Sequence, residues 1–107
     1  MEVARVTSPD QVVDAILVTR AVGATVSTPH ELYIVPRGEG IAGEPSLRGD
    51  RFEGLTLVWK EPKYLEISYR KGRIFRFANF WQSERVQAFN YLVELRLKPA
   101  TDGFSLN

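Results

Sequence analysis

The sequence predicts an all-β domain of about six antiparallel strands, and three observations carry that reading. Apolar and polar residues alternate at period two through most of 55–81. Short apolar runs end at Pro or Gly. No stretch before residue 80 keeps a helical spacing for three turns. With 107 residues, 44% apolar and 25% charged, the chain has the size and balance of one globular domain. A helix over 83–95 packed on the sheet is the alternative, and it would make the fold α+β.

Taken in order, residues 1–10 carry Glu2, Arg5, Pro9 and Asp10, which leaves no apolar signal region and predicts a mobile end. Residues 12–19 are apolar and β-branched apart from Asp14, the pattern of a strand buried on both faces. The small residues of 21–29 predict a turn. Glu31-Leu32-Tyr33-Ile34-Val35 is a second short strand, stopped by Pro36. Residues 37–54 hold glycines at 38, 40, 43, 49 and 54 together with Pro45, and predict a long solvated loop.

The clearest stretch follows. Leu55, Leu57 and Trp59 alternate with Thr56, Val58 and Lys60, and Glu61-Pro62-Lys63 makes a turn. Leu65, Ile67 and Tyr69 alternate with Tyr64, Glu66 and Ser68, and Arg70-Lys71-Gly72 makes another. Residues 73–81 continue as a third strand, so the three form an antiparallel meander. Because 73–81 carries large apolar groups on both faces, the sheet must curl into a barrel or pack on a second layer. A turn or short helix at 83–88 leads to a strand over 90–98, stopped by Pro99. The tail 100–107 is expected to be mobile, with Phe104 and Leu106 able to tuck back. The expected core is Leu55, Leu57, Trp59, Leu65, Ile67, Phe75, Phe77, Val93 and Leu95.

The succession Gly-Ala-Thr-Val-Ser (23–27), Tyr-Ile-Val-Pro (33–36), Gly-Leu-Thr-Leu-Val-Trp (54–59), Leu-Glu-Ile-Ser-Tyr (65–69), Arg-Ile-Phe-Arg-Phe-Ala-Asn-Phe-Trp (73–81) and Tyr-Leu-Val-Glu-Leu (91–95) resembles a loose group of small uncharacterised bacterial proteins. The resemblance covers about three-quarters of the chain and consists of strand and turn signatures. It implies an all-β fold and assigns no activity. Members of the group often sit in the cell envelope behind a signal segment. A cytoplasmic location is expected if Met1 is the native start, and an envelope location if a signal segment has been removed.

Composition excludes several chemistries. With no cysteine there is no disulfide, thiolate metal site or Cys nucleophile. His30 is the only histidine, and no serine sits in a Gly-x-Ser-x-Gly frame, so His30 is expected to be a structural or surface residue. Gly38-Glu39-Gly40 lacks the third glycine of a dinucleotide loop, and no Gly-Lys-Ser/Thr occurs. Arg48-Gly49-Asp50 spells the integrin-binding tripeptide, within what is expected to be a flexible loop. No cofactor or metal site is expected, and no apolar run approaches the roughly 20 residues of a membrane-spanning helix.

One region has concentrated character: Arg70, Lys71, Arg73 and Arg76 interleave with Tyr69, Phe75, Phe77, Phe80 and Trp81. Within it Arg73, Arg76, Asn79, Phe80 and Trp81 are the candidate binding residues. They suit a non-enzymatic module for a protein or small ligand held against aromatic groups. Two alternatives stand beside this reading. One is a small β-barrel enzyme using carboxylates and arginines. The other, disfavoured by the net charge of +1, is single-stranded nucleic-acid binding along 69–81. Strand 90–98, near a terminus and free of interior proline, is expected at a sheet edge, where it would pair with a second copy in a two-fold homodimer.

Overall fold

The computed structural model describes residues 1–20 and 28–99. Residues 21–27 of the turn expected over 21–29, and the tail 100–107 with Phe104 and Leu106, lie outside the described residues. Nine strands occur among the described residues: β1 (Glu2–Thr7), β2 (Val13–Thr19), β3 (His30–Pro36), β4 (Leu47–Glu53), β5 (Thr56–Glu61), β6 (Tyr64–Tyr69), β7 (Lys71–Phe77), β8 (Phe80–Trp81) and β9 (Val93–Pro99). They form two sheets, one in the order β1-β2-β3-β4-β7 and the other β5-β6-β9-β8. The fold is therefore all-β and two-layered, not a closed barrel. No helix among the described residues is long and apolar enough to cross a membrane.

The core lies between the layers. Val13, Ala15, Leu17, Leu32, Ile34 and Leu47 project from the first sheet to meet Leu65, Ile67, Val93 and Leu95 of the second. β2 and β3 are also buried on their outer side, where Ile16, Val18, Tyr33 and Val35 pack together. That accounts for the run of 12–19 being apolar on both faces apart from Asp14. Trp59 joins the layers by donating its indole N–H to the Val6 carbonyl (2.9 Å).

Several expectations are corrected. Residues 1–10 are not a loose end, because β1 pairs antiparallel with β2 along its length. The segment 37–54 is a loop only up to Ser46, and from Leu47 it is β4. The meander is one hairpin, β5–β6, and no more. At Arg70 the chain leaves β6, and β7 pairs with β4 in the other sheet, while β6 pairs parallel with β9. The physical reason is that 71–77 carries polar and basic residues on its outward side, which suits an edge of the first sheet better than the middle of the second. The run 73–81 also breaks at Ala78–Asn79, and its last two residues cross to the second sheet as β8.

Phe75, expected in the core, is 56% exposed. The β4–β7 register shifts between Arg48 and Gly49, so Phe75 is the extra residue of a bulge and turns outward. Leu55, Leu57, Trp59 and Phe77 are half-buried, whereas Leu65, Ile67, Val93 and Leu95 are buried as expected. No helix spans 83–95. A turn leads into a 3₁₀ turn at Gln87–Phe89, whose three residues all have positive φ (52°, 48° and 69°). β9 then starts at Val93, three residues later than expected. It is flanked by β6 from Glu94 to Pro99 and, on its other side, by the two-residue β8 at Val93 and Glu94.

Candidate functional site

The five residues singled out in the sequence do not converge. Arg73 and Arg76 lie on the outer face of the first sheet. Arg73 makes a two-pronged ion pair with the buried Asp50 (2.8 and 2.7 Å) and stacks its guanidinium 5.4 Å from the Phe75 ring. This pair is what holds the Asp50 carboxyl below its ordinary value, and it means that the Arg48-Gly49-Asp50 tripeptide presents no free carboxylate. Arg76 donates to the Pro45 carbonyl (2.9 Å) and pairs with Glu44 (3.1 Å). Asn79 sits at the crossing between sheets, where its carbonyl accepts the Leu95 N–H. Phe80 lies across from Glu94 and is exposed, while Trp81, next in sequence, lies across from the buried Val93 and packs on the core.

Trp81 does line a site. β3 pairs with β4 only over His30–Leu32, because the chain preceding Leu47 swings away after Ser46 donates to the Leu32 carbonyl. β3 runs on to Pro36 without that neighbour. A cleft of about 220 Å³ opens there, between the end of β3 and the end of β8. Ile34, Pro36 and Trp81 form its apolar wall, Ala42 and Gly43 face them from the 37–46 loop, and Arg85 stands at its rim.

Both loops around the cleft are pinned. The Gly38 N–H donates to the Asp14 carboxylate (3.0 Å), and Arg5 bridges Asp14 (2.8 Å) and the Glu39 carbonyl (3.0 Å). Burial alone would raise the Asp14 pKa, but Gly38, Thr7 and Arg5 together bring it below its ordinary value. Arg85 closes the rim with a bidentate pair to Glu39, Nη2 to Oε2 at 2.6 Å and Nη1 to Oε1. On its own side Ser83 organises the turn, accepting the Arg85 N–H on its hydroxyl and the Val86 and Phe89 N–H groups on its carbonyl. These bonds hold Gln87–Phe89 in the left-handed region, a conformation that costs non-glycine residues about 1–2 kcal/mol each.

Chemically the cleft is simple. Its one titratable lining side chain is Arg85, which stays protonated and cannot take up a proton. His30 is elsewhere, half-buried and edge-on to Phe52 at 5.7 Å. Among the described residues no three of His, Asp or Glu are placed to share a metal ion. The sequence signalled Trp81 by its aromatic neighbourhood. It gave no sign of Ile34 or Arg85, which reach the site only because β4 departs early from β3. Comparison with models of known protein families, with curated proteins and with solved structures gives no match to this chain.

Proposed function

We propose that this chain is a non-enzymatic binding module whose cleft receives one small apolar group against Trp81. The observation that carries the reading is the make-up of the cleft: apolar Ile34, Pro36 and Trp81 beside the neutral Gln82 and Ser83, a single permanently charged guanidinium, and no carboxylate or imidazole in the lining to act as acid or base. Its size limits the occupant. About 220 Å³ falls below the roughly 300–1,000 Å³ of sites for cofactors and drug-sized ligands. A single side chain with its flanking amides fits that space.

The test is an NMR titration of ¹⁵N-labelled protein with capped amino acids bearing aliphatic or aromatic side chains. Shifts confined to Ile34, Val35, Ala42, Gly43, Ser83 and the Trp81 indole are expected. Shifts concentrated on Arg73, Phe75 and Arg76, with the cleft silent, would move the binding face to the outer sheet.

A further inference from the structure

We infer that the occupant of the cleft is an extended peptide segment that adds to β3 as a short strand at Ile34. The inference rests on the proposal that the cleft is a binding site, and it goes on to name the chemistry of the ligand.

Backbone groups alternate in direction along β3. The Arg20 N–H donates to the Pro29 carbonyl and the Arg37 N–H to the Val12 carbonyl. These two bonds fix the odd-numbered residues 29 to 37 as the ones whose backbone groups face β2. The even-numbered residues face the other way. Leu32 confirms this, since its carbonyl accepts the Ser46 N–H on that side. Ile34 is next in the same row, so its N–H and C=O point to where β4 would run, and β4 has already departed. Pro36 carries no N–H, and its carbonyl accepts from the Glu39 N–H. The row therefore presents one donor and one acceptor, both on Ile34.

Ile34 is only 3% exposed, and buried backbone amides are almost always paired. A donor and an acceptor spaced along one extended residue match a single residue of another extended chain, which would exchange both bonds with Ile34. Directly opposed residues in such a pair point their side chains to the same face. The Ile34 side chain points inward to the core, so the ligand residue opposite it would point inward too, toward Trp81. Recognition thus calls for an uncharged backbone amide pair and an aliphatic side chain of about valine size.

The probe is N-acetyl-valine N-methylamide, with the analogue methylated on the valine nitrogen as control. The analogue keeps the apolar group, loses the donor to the Ile34 carbonyl and places a methyl group against the edge of β3, so that neither bond of the pair can close. In ¹⁵N-labelled protein, the first compound is expected to shift the Ile34 amide proton downfield and slow its exchange with solvent, and the second to do neither. Equal responses to the two compounds, or an unmoved Ile34, would overturn strand addition. If Ile34 stays unmoved while the Trp81 indole responds saturably to both, the cleft remains a binding site for apolar groups. If neither residue responds at high millimolar concentration, both proposals fall.

Discussion

Asp14 shows how a single side chain is made tolerable inside this sandwich. It interrupts an otherwise apolar strand and is 2% exposed, and a bare carboxylate there would be costly. Arg5 and the Gly38 amide meet it, so one acid fixes both the edge strand and the start of the 37–46 loop. Glu31 is treated similarly: burial opposes its charge, but Arg20 and Tyr33 outweigh that and hold its pKa below the ordinary value. Asp10 gains the same sign of shift from the Ser8 and Tyr91 hydroxyls, each 2.6 Å away, against the opposing effect of burial. Each of these folded-state carboxylates binds protons less readily than its unfolded counterpart. Their stabilisation is complete above the ordinary carboxylate range and is lost as pH falls below about 4. Thermal midpoints measured across pH should therefore drop on the acid side, and the drop should be shallower in Asp14→Asn. Tyr91 acts at the other end. Burial, and then the Asp10 carboxylate, raise its pKa, so stability should also decline as pH rises above about 10. A profile flat through both limbs would contradict these contacts.

At the scale of elements, the join between β4 and β7 depends on Phe52 fitting into a slot. A Cβ built on Gly72 would lie 2.4 Å from the Phe52 ring, and one on Gly49 would lie 2.1 Å from the Arg73 carbonyl oxygen. The first obstacle is a side chain that can move, and the second is a partner strand's backbone. Gly72→Ala should cost about 1–3 kcal/mol by overpacking, and Phe52→Leu in the same chain should recover part of that loss. Gly49→Ala should cost more and should not be rescued by Phe52→Leu. Denaturant unfolding of the four variants checks both statements. The same elements show what was legible in the sequence. β2, β3, β5 and β6 follow from local apolar pattern and proline stops, and all four appear. β1 and β4 were missed because their partners, not their own residues, make them strands: RGD within β4 has little strand propensity until β7 pairs with it. The partner of β7 was missed for a related reason. Residues 70–72 look like a hairpin turn, yet the Arg70 N–H donates to the Glu53 carbonyl and carries the chain to the other layer. Of the candidate site, only Trp81 could be picked out, since a cleft made by the early departure of a strand leaves no local mark.

For the whole molecule, the layers place four strands at edges: β1 and β7 in one sheet, β5 and β8 in the other. Each is blunted. Register shifts interrupt β1, β5 and β7, the last also carries Lys71, Arg73 and Arg76, and β8 has only two residues. β8 covers β9 only at Val93 and Glu94, which shortens the edge on which a homodimer is expected to residues 96–99. Light scattering should return the mass of one 12.1 kDa chain, and a doubled mass would show that one of these interrupted edges still pairs. The cleft at the end of β3 is another place where backbone groups face a gap, and the functional account stands on it. Trp81 and Trp59 are the two tryptophans of the chain, so Trp59→Phe leaves Trp81 as the sole indole reporter. Emission from that variant, titrated with N-acetyl-valine N-methylamide, tests the cleft most directly. A saturable shift toward shorter wavelength is predicted, as an apolar group displaces water from the Trp81 ring. A linear change, no larger than that of free N-acetyl-tryptophanamide in the same solutions, would contradict the account.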